Sequence, residues 1–86
     1  MPRLAAFYGI VIYMYIRDHG LAHFHARYGE DEAVIEVVTG KLLAGGLPRR
    51  QMTMVREWTE LHHHELLTAW QRASMGEPPG TIEPLP

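Results

Sequence analysis

There is no cysteine in this sequence. That excludes a disulfide framework, a thiolate metal centre and a thiol nucleophile together. A surplus of positive charge is also missing: 8 Lys and Arg against 10 Asp and Glu leave a formal net charge of −2. General coating of nucleic acid needs the opposite balance, which leaves only a local basic patch for that role. Nor is there a long apolar run. The stretch Leu4 to Ile16 falls short of the ~20 residues a helix needs to cross a bilayer. Its Tyr, Val and Ile favour strand, and no small-residue cleavage site follows it. It reads as a buried strand in a cytoplasmic protein without a membrane part. At 86 residues the chain has room for one domain with a thin stability margin. Self-association into a homodimer is an expected further source of stability.

What is present reads as α+β: an antiparallel β-meander of three to four strands followed by one long amphipathic helix. Phe7 to Ile16 is rich in β-branched and aromatic residues on both faces, as in a central strand. Arg17-Asp18-His19-Gly20 has turn chemistry. His23 to Tyr28 forms a second strand, Ala33 to Val38 a third and Lys41 to Ala44 a short fourth. Leu47-Pro48 opens a helix, because proline is tolerated at the first helical position. Met54, Val55, Trp58, Leu61, Leu66, Ala69, Trp70 and Ala73 then recur at helical spacing as far as Ser74. Trp58 and Trp70 read as core. Residues 1–76 make the domain, and 77–86, with Pro78, Pro79, Pro84 and Pro86, a proline-rich tail.

Alternation along the second strand puts His23, His25 and Arg27 on one side and Phe24, Ala26 and Tyr28 on the other. A turn centred on Glu30-Asp31 pairs Tyr28 with Ala33, which sets Phe24 opposite Val37, Ala26 opposite Ile35 and His25 opposite Glu36. Pairing Ile16 with Ala22 sets Tyr15 beside His23 and Tyr13 beside His25. The expected outer face therefore carries Tyr13, Tyr15, His23, His25, Arg27 and Glu36. Imidazoles beside a carboxylate, a phenol and a guanidinium suit general acid–base work on a phosphodiester without a metal. On this reading Tyr13, His23, His25, Arg27 and Glu36 are the catalytic candidates. The plain alternative is a partly exposed strand face whose histidines satisfy their polar neighbours.

His23, His25 and Glu36 are also a nitrogen and oxygen set that zinc or another transition metal accepts, as an alternative to a cofactor-free site. His62-His63-His64 is a weaker lead, because consecutive helix positions diverge by about 100° and cannot close on one ion. His62 is expected against the apolar stripe, and His63 and His64 in solvent. Arg49 and Arg50 oppose the dipole of the helix they begin. A bound anion offsets this, as does an ion pair with a carboxylate.

The segments F-Y-G-I-V-I-Y-M-Y (Phe7 to Tyr15), D-H (Asp18, His19), H-F-H-A-R-Y-G (His23 to Gly29), L-P-R-R (Leu47 to Arg50), E-W-T-E-L-H (Glu57 to His62) and I-E-P-L (Ile82 to Leu85) resemble a bacterial family of domains of unknown function, numbered four-one-six-zero. Ala22 stands where that family usually has proline. The resemblance implies a small stand-alone protein, often encoded beside another small protein, in a pair suggested to be toxin–antitoxin-like. It assigns no residue a role.

Three functions follow as expectations. The first is a toxin-like component acting on RNA through the His/Arg cluster. The second is a non-catalytic module that binds a small protein encoded nearby. The third is a metal-binding module.

Overall fold

A computed structural model describes Pro2 to Pro86. Five strands lie in one antiparallel sheet in chain order: β1 (Arg3–Phe7), β2 (Ile10–Tyr13), β3 (His23–Tyr28), β4 (Asp31–Glu36) and β5 (Leu42–Gly45). Two helices follow, α1 (Arg49–Leu61) and α2 (His63–Ser74). The α+β class and the antiparallel meander are as the sequence predicts. The counts are not: there are five strands rather than three or four, and two helices rather than one.

Each difference has a local cause. The expected strand Phe7 to Ile16 is a hairpin, because Tyr8 (φ 48°) and Gly9 (φ 80°) both take the left-handed conformation of a two-residue type I′ turn. Phe7 pairs with Ile10 across it. A single run of apolar residues thus holds two strands. The helix breaks where His62 leaves helical geometry (φ −115°, ψ 28°). There its Nδ1 bonds the Glu65 carboxylate at 2.9 Å, so His62 sits at the N-cap of α2 with its partner at the third helical position.

The β3–β4 turn is Gly29-Glu30, not Glu30-Asp31, because Gly29 takes φ 59°. Tyr28 therefore pairs with Asp31, Phe24 with Ile35, Ala26 with Ala33 and His25 with Val34. The expected register is out by two residues. A two-residue shift keeps every side chain on its expected face and changes only its neighbours.

One face of the sheet is dry. Phe7, Ile10, Ile12, Phe24, Ala26, Ala33 and Ile35 pack with Met52, Val55 and Trp58 of α1 and with Leu66, Ala69 and Ala73 of α2. Trp58 is fully buried, its ring 5.6 Å from Phe7 and 5.8 Å from Phe24. The last residues close this core. Pro79 and Ile82 are buried, Ile82 N–H donates to Leu4 O at 2.8 Å, and Trp58 Nε1–H donates to Glu83 O at 2.8 Å. The proline-rich segment thus covers the free side of β1. Among the described residues, no helix is long and apolar enough to cross a membrane.

Candidate functional site

With one sheet face covered by helices, the alternating residues of β2, β3 and β4 form the other. Tyr13 stands opposite His25, as the sequence predicts. The rings of Tyr13 and His25 stack at 5.1 Å and 11°. β2 ends at Tyr13, so Tyr15 lies in the following loop, and its ring meets His25 edge-on at 4.8 Å. His23 and His25 lie with ring centroids 5.6 Å apart. Their side chains are only 16% and 13% exposed, so both rings have fixed surroundings.

The carboxylate at the centre is Glu32, not Glu36. Glu32 pairs with Arg27 in the observed register and reaches His25 diagonally. Its Oε1 accepts from Tyr13 Oη at 2.7 Å and Arg27 Nη2 at 3.0 Å, and its Oε2 meets His25 Nδ1 at 3.1 Å. Three donors converge on one carboxylate. The Tyr13 hydroxyl, then the Arg27 guanidinium, hold the Glu32 carboxyl below its ordinary 4.5. In return, burial and then the bond to Glu32 push the Tyr13 phenol up to about 12. Arg27's own bond to Glu32 raises the guanidinium above its ordinary value. Glu36 lies on this face opposite His23, but its Oε1 accepts from Thr39 Oγ1 at 2.9 Å.

Two further residues join the cluster. His23 Nδ1 faces Leu21 O at 2.7 Å and its Nε2 faces Asp18 Oδ2 at 2.9 Å. Trp70 of α2 lies with its ring 5.0 Å from that of His23, so it belongs to the site's edge as well as to the helix stripe. The loop carrying Asp18 is tied to α2 by Arg17 N–H donating to Ala73 O at 2.6 Å.

The ionisation of Glu32 fixes the chemistry of His25. An ionised carboxylate only accepts, so Nδ1 carries the proton and Nε2 is the nitrogen left over. Beside this hub, Arg3, Val11, Tyr13 and Arg27 line a pocket of about 220 Å³. Arg27 shares its charge with Glu32, whereas Arg3 makes no ion pair among the described residues.

The other sequence candidates lie elsewhere. Arg49 and Arg50 are exposed in the first turn of α1, with no ion pair among the described residues. Arg50 lines a separate pocket with Tyr8, Tyr28 and Glu57. His62 packs against Trp58 at 5.6 Å. His63 is half-buried and His64 exposed.

A five-stranded antiparallel sheet, helices on one face and a histidine–carboxylate cluster on the other define a compact α+β domain with an open-faced polar site. The chain belongs to the family described as Domain of unknown function (DUF4160), which it matches over residues 9–71. No curated protein and no solved structure matches it.

Proposed function

We propose that this protein acts on RNA, as the toxin-like member of a two-gene module, through the outer face of its sheet. The observation that carries this reading is the adjacency of the Arg3–Arg27 pocket to His25 through the Tyr13 ring. Two guanidinium groups suit a phosphodiester, and the unpaired one adds positive charge where the chain as a whole has little. His25, anchored through Nδ1, presents Nε2 as the nitrogen that can activate a nucleophile. His23 and Asp18 lie on its other side, and the partly exposed Tyr15 and half-buried Trp70 add aromatic surface at the rim, of the kind single-stranded nucleic acid uses for stacking.

Expression in bacteria, with His25→Ala and Arg3→Ala beside it, tests the reading. The wild-type chain is expected to slow growth and fragment cellular RNA, and both variants to lose the effect by at least about 10-fold. Identical growth and RNA profiles for all three would remove it.

A second reading, a non-catalytic module binding a small protein, is favoured by the rim at β5. Val38, Leu42 and Leu43 are 60%, 41% and 44% exposed there, next to a free strand edge. Such edges accept a partner strand. A chain that stays monomeric and captures no partner when co-expressed with its neighbouring gene counts against it.

A further inference from the structure

Asp18, His23 and His25 each offer one ligand atom, and the three atoms lie within 4.8 Å of one another. Proximity alone is common among polar side chains. The decisive feature is the state of the nitrogens that face away. His23 Nδ1 bonds Leu21 O at 2.7 Å. A carbonyl only accepts, so that nitrogen carries a proton. His25 Nδ1 is held in the same way by Glu32 at 3.1 Å. In metal sites a ligating imidazole donates its other N–H to a carbonyl or carboxylate, which fixes the ring's tautomer and direction. Here both imidazoles are so held, one by each kind of acceptor.

We propose that Asp18, His23 and His25 bind one divalent first-row transition-metal ion through the two Nε2 atoms and the Asp18 carboxylate. His23 Nε2 and Asp18 Oδ2 already stand 2.9 Å apart. Ligands about 2.0 Å from a tetrahedral ion stand roughly 3.3 Å from one another, so this pair needs little adjustment. An ion bound between the two atoms displaces any proton they share, while the Nδ1 bond to Leu21 O persists. Two nitrogens, one oxygen and no thiolate suit zinc, cobalt or iron rather than calcium or magnesium. Three protein ligands leave a position open, the pattern of a site that holds a water or a substrate.

The site differs from the set expected from sequence, His23, His25 and Glu36, by exchanging Glu36 for Asp18. The inference uses the same His25 nitrogen as the proposed function but does not depend on RNA as substrate. With an ion bound, His25 Nε2 would serve as a ligand, and the ion rather than the imidazole would supply the activation of a nucleophile.

The test uses the full chain without a polyhistidine tag, stripped by chelator and titrated with Co²⁺ by visible absorption and with Zn²⁺ by calorimetry. One ion per chain is expected, with a Kd of about micromolar or tighter. His23→Ala and His25→Ala should weaken binding by at least about 100-fold, and Glu32→Gln by about 10- to 100-fold through the lost orientation of His25. Asp18→Asn lies on a turn outside the sheet and supplies a variant whose folding is not at issue. It should weaken binding by at least about 10-fold and reduce the upward shift of Tm that Zn²⁺ gives the wild type. His63→Ala with His64→Ala should leave binding unchanged. Absence of stoichiometric binding to the folded wild type would overturn the proposal. So would wild-type affinity in both Asp18→Asn and His25→Ala, or loss of binding with the His63 and His64 pair. One ion bound with RNA untouched sustains the metal site and removes the RNA reading, whereas His25-dependent RNA cleavage by a chain that binds no ion does the reverse.

Discussion

His25 and Glu32 meet across a diagonal of the sheet, Nδ1 to Oε2 at 3.1 Å, although Val34 is the residue directly opposite His25. The diagonal leaves Glu32 opposite Arg27 and within reach of Tyr13, so one carboxylate orients an imidazole, a phenol and a guanidinium together. Each of these bonds is set by backbone pairing, which makes the arrangement a property of the sheet.

Replacement of Glu32 by Gln should cost about 1–2 kcal/mol, as three donors lose a charged acceptor, part of it exposed. Glu32 has a folded pKa below its unfolded one. Its contribution is therefore present above the unfolded value, near 4.5, and disappears as pH falls through the lower folded value. Urea unfolding of the metal-free chain at about pH 7 and about pH 3 measures both effects. The variant should be weaker at neutral pH and show a shallower loss in acid. Equal midpoints for the two chains at neutral pH would mean that the hub does not stabilise the fold.

Tyr13 should ionise late for a phenol, near pH 12. A phenol whose folded pKa exceeds its unfolded value contributes stability that is complete below pH 10.0 and lost as pH rises towards 12. Ultraviolet absorbance titration, with Tyr13→Phe to assign the late step, checks this. Glu32→Gln should move that step downward without restoring the ordinary value, because burial is the larger cause.

Gly45→Ala should destabilise the chain by at least about 2 kcal/mol. Gly45 has φ 68°, and a Cβ there would run into the carbonyl oxygen of Glu32. That oxygen accepts from Gly46 N–H at 3.0 Å, so the clash also reaches the backbone beneath the hub. Thermal unfolding measures the loss. An unchanged Tm would show that β5 can shift without cost.

Ile82→Ala should cost about 2–3 kcal/mol, since Ile82 is 8% exposed in the core. Deletion of residues 77–86 should cost more and shift Trp58 fluorescence to the red, because the Glu83 carbonyl bonded to its indole leaves with the tail. An unshifted spectrum would mean that the tail does not close the core.

The outer face was legible because alternation along a strand survives an error of two residues. His23, His25 and Arg27 share a side whatever turn precedes β4, and Tyr13 beside His25 follows from the neighbouring hairpin. The carboxylate was not legible, because its identity depends on whether Gly29 or Glu30 begins the turn, and the left-handed φ of Gly29 decides it. Tyr8-Gly9 carried a usable hairpin cue, hidden by apolar residues on both sides. Asp18 and Trp70 had none: one comes from a loop and the other from α2, and only the packing of α2 against the sheet brings both to His23. Sequence periodicity places Trp70 on a helix stripe and goes no further.

The nitrogen-15 spectrum of the imidazole rings in the metal-free chain tests the site most directly. His25 is predicted to hold its proton on Nδ1, directed at Glu32, and to lose that preference in Glu32→Gln. A wild-type ring protonated instead on Nε2 would contradict the account, because the nitrogen assigned to a substrate or an ion would not be free.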